Sequence, residues 1–71
     1  MNTRRFSLFD PFHYETAEEF RGKLVAVTTF DSGLTGQYDG ILTPIDKGKT
    51  QVGTEILLND CITAVTIQTP A

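Results

Sequence analysis

From residue 23 onward the chain alternates with a period of two. Val25, Val27 and Thr29 share one side of an extended segment, and Leu24, Ala26, Thr28 and Phe30 share the other. Both sides are largely apolar or β-branched, as in a strand that is covered on both faces, within a barrel or at an interface. Asp31-Ser32-Gly33 marks a turn and Gly36 a second one, which predicts a long connection to the next strand. The chain returns through Tyr38, Gly40 and Leu42, with Ile41 on the opposite face. Gly40 within that run predicts a bulge or sharp bend, and Pro44 ends regular pairing or places it on an edge. Residues 46–49 (DKGK) read as a polar hairpin tip. A short third strand follows at residues 50–52, punctuated by Gly53, and a fourth at residues 54–58 (TEILL). Asn59-Asp60 is a tight turn into a fifth strand at residues 62–68, where Ile62, Ala64 and Thr66 oppose Thr63, Val65 and Ile67.

Ahead of the strands the pattern is different. Thr16 followed three residues later by Glu19 has the spacing of a capping box, which predicts a helix over residues 16–22, closed by Gly22 and anchored by Phe20. Glu18 and Glu19 suit the positive end of such a helix, but adjacent helical residues diverge and do not make an acid/base pair. Residues 1–15 form an aromatic arm with Phe6, Phe9, Phe12 and Tyr14 around Asp10-Pro11, whose proline disfavours a helix interior. The cluster is expected to be buried, as a plug on the chain's own core or as an arm in a neighbour's groove, the plug being favoured. The whole chain, residues 1–71, is therefore expected to be a single mainly β domain. Its strands at residues 23–69 would form a small five-stranded barrel of SH3-like or Sm-like layout behind one short N-terminal helix.

Seventy-one residues is near the lower end of what folds alone. A core of this size supplies about 3–5 kcal/mol, and small scaffolds often add a staple. Cys61 is the only cysteine and His13 the only histidine, so neither a disulfide nor a Cys/His metal site is available, and no cofactor is expected. Self-association is the staple that remains, and a homo-oligomer is expected. The net charge of −3, with the basic residues scattered in pairs, lowers the expectation of nucleic acid. No apolar run reaches the ~20 residues of a membrane span, and the start lacks the apolar region of a secretory signal. A lone free thiol fits a cytoplasmic setting.

The order of short helix, Gly22-Lys23, Val25, Val27, Gly33, Gly40, Leu42, Ile45 and Asp46 resembles the first motif of the Sm-like family. The stretch LLNDCITAV is similar to the second, with Asp60, Ile62 and Val65 in matching places. The resemblance implies a five-stranded barrel that forms rings by edge pairing, with RNA near Asp46, Lys47, Lys49 and Asn59. Two departures weigh against the RNA half. Residues 47–50 (KGKT) lack the base-contacting asparagine, and Leu58-Asn59 replaces the usual arginine-glycine pair.

The first expectation is thus a non-catalytic module that self-associates and engages a protein partner, with Phe6, Phe9, Phe12 and Tyr14 as assembly residues. The alternatives are an Sm-like RNA-binding ring and a small acidic inhibitor of a nucleic-acid-handling protein. No catalytic constellation is recognisable. Cys61 reads as a small hydrophobe and His13 as an arm residue, while Asp31, Asp39 and Asp46 read as turn carboxylates rather than cation ligands.

Overall fold

The structure, a computed structural model, describes residues 2–68, so the expected end of the barrel at residue 69 lies outside the described residues. Six strands are present: β1 (Asn2–Arg5), β2 (Leu24–Asp31), β3 (Leu34–Asp46), β4 (Lys49–Val52), β5 (Glu55–Leu58) and β6 (Ile62–Ile67). One helix, α1 (Tyr14–Glu19), precedes β2, and a single 3-10 turn (Asn59–Cys61) precedes β6. All pairings are antiparallel, in the order β1-β6-β2-β3-β4-β5.

The mainly β class with one short helix agrees with the sequence pattern; the closed five-stranded barrel does not. The sixth strand is β1, which pairs Asn2 with Ile67 through to Arg5 with Ala64. The NTRR stretch has no apolar alternation, so its strand state comes from the backbone groups that β6 offers along its edge rather than from its own composition. A 2.8 Å bond between the hydroxyls of Thr3 and Thr66 adds to the pairing. With β1 on that edge, β1 and β5 are the two borders of an open sheet and are not paired.

The sequence pattern predicts cover on both faces of β2, but only one is buried: Val25 and Val27 are fully enclosed and Thr29 nearly so, while Leu24 and Phe30 on the other face are exposed. The two valines meet Leu42 of β3, Val52 of β4, Leu57 of β5 and Ile62 and Val65 of β6, with Phe20 and Ala17 from the helical segment. Each fully buried valine or leucine contributes about 1.5–3 kcal/mol relative to an exposed one. In β6 the strict alternation fails. Ile62 and Val65, three residues apart, are both buried because the register with β2 shifts at Thr28 and Thr29 and leaves Thr63 as a bulge. Thr63 uses its extra position, donating from its hydroxyl to the Thr28 carbonyl and accepting from the Phe6 N–H at 2.9 Å.

Two glycines differ in role from their sequence reading or exceed it. The turn between β2 and β3 has only Ser32 and Gly33 at its centre, both at positive φ, the pattern of a type I′ hairpin. Gly36 is therefore not a turn residue but lies within β3 opposite Thr29. Gly40 is the bend the sequence predicted. A Cβ there would stand 2.5 Å from Gly53 Cα, so β3 passes backbone against backbone with the turn between β4 and β5 at this point. Pro44 sits where β3 has β4 alone as partner, and its pairing shifts before Asp46.

Helix α1 starts two residues earlier than expected, and Thr16 does not cap it. His13, in extended conformation, is the cap: its Nδ1 accepts the Thr16 N–H at 3.3 Å, while Thr16 itself is buried. Gly22, at φ +78°, turns the chain out of the helical segment and donates its N–H to Leu42. Glu18 and Arg21 form a two-bond fork on the helix surface, one bond at 2.9 Å. The Arg21 hydrogen bonds, seconded by one from Tyr14, hold the Glu18 carboxyl down at about 2, against an ordinary 4.5.

Two outcomes follow. Gly40→Ala forces a Cβ into the Gly53 backbone at a φ of +150°, and urea unfolding is expected to show a loss of about 2–4 kcal/mol. Because the native pKa of Glu18 lies below its unfolded value, the fork stabilises the fold above pH 4.5, and that contribution is lost as pH falls through about 2. Glu18→Gln is accordingly expected to flatten the urea midpoint against pH within that window, with a small effect because the pair is half-exposed.

Candidate functional site

The aromatic arm divides into an inside and an outside. Phe6 and Phe12 are buried and meet edge to face, with centroids 5.2 Å apart and planes at 87°. They lie on the chain's own core, as the plug expectation had it. Arg4 fixes this end by covering the Phe6 ring at 5.4 Å and bonding Glu19 of α1 at 2.9 Å. Tyr14 is half-buried, and the Glu18 carboxylate beside it pushes its phenol up.

Phe9 belongs to the outside, being 99% exposed, and Leu8 beside it is 96% exposed. Their exposure is built rather than frayed. Ser7 and Asp10 exchange backbone hydrogen bonds at 3.0 and 3.2 Å, and Ser7 Oγ accepts the N–H groups of Phe9 and Asp10. This closed turn holds Leu8 and Phe9 at its tip. Beside it lies a half-open groove of about 580 Å³, with Phe6, Phe12 and Ile62 among its walls and Phe30 on its side. Asp60 is the one charged residue among those lining it.

A second group sits at the hairpin between β3 and β4. Asp46, Lys47 and Lys49 are exposed, and Asp46 accepts the Gly48 N–H at 2.8 Å. Asn59 is brought to them, as the resemblance implied, but it is buried and engaged. Its Oδ1 accepts the Thr50 hydroxyl at 2.6 Å, its Nδ2 donates to the Lys47 carbonyl, and its N–H donates to the Gly48 carbonyl. In this arrangement Asn59 clamps the tip to the 3-10 turn. Among the described residues neither lysine pairs with a carboxylate.

The remaining chemistry-bearing groups stay apart. His13 Nδ1 faces Thr16 and, at 3.1 Å, Glu15. The neutral ring accepts the cap bond there, whereas a protonated ring donates to Glu15 instead. Cys61 is half-buried; burial first, then the carboxylates of Asp31 and Asp60, push its thiol up, away from a reactive thiolate. Asp31, Asp39 and Asp46 lie at one hairpin end, mid-strand and the other hairpin, and no cluster of metal-ligating groups occurs among the described residues.

Sequence reading missed the outward residues Leu8, Phe30, Ile56 and Leu58. For Phe30 no signal was available, since it shares its side of β2 with Leu24 and Ala26 and neither side is polar. For Ile56 and Leu58 none was available, because TEILL has no polar alternate to mark a solvent face.

Asn59→Ala removes both side-chain bonds of the clamp, keeps the backbone bond to Gly48, and leaves the Thr50 hydroxyl buried without its partner. Stability is expected to fall by about 1–3 kcal/mol, with faster hydrogen exchange at the amides of residues 47–49 by NMR. In comparison with known proteins, the chain matches no family model, no curated protein and no solved structure.

Proposed function

We propose that this chain is a non-catalytic interaction module, which self-associates through its β5 border and engages a protein partner. The observation that carries this reading is the state of β5. It is a border strand whose outer backbone groups have no strand partner among the described residues, and its outward apolar side chains are Ile56 and Leu58, 60% and 56% exposed. Ile45 lies on β3, which with β4 adjoins this border, and is also exposed. An apolar border without lysine, proline or bulge is what sheets avoid unless something pairs with it.

The opposite border differs in composition. Strand β1 is NTRR, and its two arginines are a charged border of the kind that discourages pairing. Self-association is therefore expected to use β5 with β5, an isologous two-fold contact, rather than a head-to-tail chain of β5 on β1. An RNA reading at residues 46–49 has less behind it, since Asn59 spends its amide on the hairpin itself and only two lysines are exposed there.

Light scattering or native mass spectrometry tests the self-association directly. The wild-type chain is expected to run as a dimer at tens of micromolar, a range set by a modest apolar border contact. Ile56→Lys with Leu58→Lys is expected to give a monomer with an unchanged circular dichroism spectrum. A monomeric wild-type chain over that range would sink the β5 reading.

A further inference from the structure

The groove beside the Leu8–Phe9 tip is independent of the β5 border and has its own chemistry. Its floor is apolar and belongs to the core, through Phe6, Phe12 and Ile62. Its wall is Phe30, 53% exposed, and its rim is the exposed tip. At about 580 Å³ it exceeds what one side chain of this protein fills, and it falls in the range of sites that take a ligand. The tip is held by the closed Ser7–Asp10 turn, so ordering it costs a partner little.

Charge selects the occupant. Asp60 lines the groove, and Asp10 belongs to the closed turn whose Ser7 and Leu8 also line it. Among the described residues no lysine or arginine lines the groove. A nucleic acid would bring phosphates to these carboxylates, and a second copy's tip would bring its own Asp10 to Asp60; both juxtapose like charges. A cationic segment with large apolar side chains meets both the floor and the rim.

We infer that this groove is a docking site for a basic, apolar polypeptide segment, one that places a large aliphatic or aromatic side chain between Leu8 and Phe30 and a lysine or arginine against Asp60. This rests on the reading of the chain as a protein-binding module and assigns the partner's class and its seat. The apolar contacts supply affinity, and the carboxylates supply orientation and salt dependence.

The test is fluorescence anisotropy with two labelled short peptides, one of alternating leucine and lysine and one of alternating leucine and glutamate. The lysine peptide is expected to bind and to weaken as salt rises, with the glutamate peptide at least about tenfold weaker. Leu8→Ser with Phe30→Ser is expected to lower affinity for the lysine peptide by at least about tenfold, with Ile56→Lys leaving it unchanged. If the double variant unfolds, Asp60→Lys on the exposed rim carries the test alone, and it is expected to reverse the preference between the peptides. Equal binding of both peptides, binding indifferent to Asp60, or no binding of either overturns the inference. Native mass measured on the same samples keeps the two ideas apart, because a dimer that ignores the peptide retains the β5 reading while losing the groove.

Discussion

The contact of Gly40 with Gly53 is the constraint on which the arrangement depends. Strand β3 runs 13 residues, pairing first with β2 as far as Ile41 and then with β4 from Leu42. The change of partner falls at Gly40, where the backbone takes a φ of +150° and passes against Gly53 with no room for a Cβ between them. One strand can thereby serve both halves of the sheet. Leu42 and Val52, beyond the bend, join Val25, Val27 and Val65 in a single core. A chain this short has too little apolar surface to build two cores, so a β3 that ran straight would leave half of it facing water.

Once the sheet is bent, the N-terminal segment has a defined place. Strand β1 completes the edge of β6, Phe6 hydrogen-bonds the bulge at Thr63, and Phe12 packs on Phe6. Arg4 then ties the strand to α1 through Glu19. The arm is thus a structural part of the domain, and the tip that it exposes is a consequence of the tight Ser7–Asp10 turn between two buried phenylalanines. Positions that alternate as Phe6 in, Phe9 out, Phe12 in leave Phe9 nowhere to go but solvent or a partner.

Much of the strand pattern was legible because it follows from local chemistry. The turn at Ser32-Gly33, the bend at Gly40 and the hairpin tip at residues 46–49 all depend on residues whose backbone preference is written in their type, whereas the helix expected to run to Gly22 ends at Glu19. What was not legible depends on distant partners. Strand β1 exists because β6 offers an edge 60 residues away in sequence, a pairing that NTRR does not announce. Thr16 has the spacing of a cap yet is drawn into the core, and His13 takes its place. The bulge at Thr63 requires knowing how β6 meets β2. The same holds for the candidate surfaces: the sequence located the arm's aromatics but could not say that Phe6 and Phe12 turn inward and Phe9 outward.

Exposed apolar surface is what connects the fold to its proposed role. Among the described residues nine large hydrophobic side chains are substantially exposed, against eleven buried in the core, so the chain leaves nearly as many outside as it encloses. Small domains cannot avoid some exposure, and scattered single residues need no function to explain them. These are not scattered evenly. Ile56 and Leu58 occupy one strand at the border of the sheet, while Leu8 and Phe30 line one groove. The border is a poor docking site for a charged segment, having only Glu55 on its strand, and suits a copy of itself. The groove, with Asp60 in its lining and Asp10 in the adjoining turn, repels that copy and suits a cationic partner. Two surfaces that differ in charge in this way can be occupied together without competing, so self-association at β5 would double the number of grooves presented to one partner and raise its avidity without any new contact.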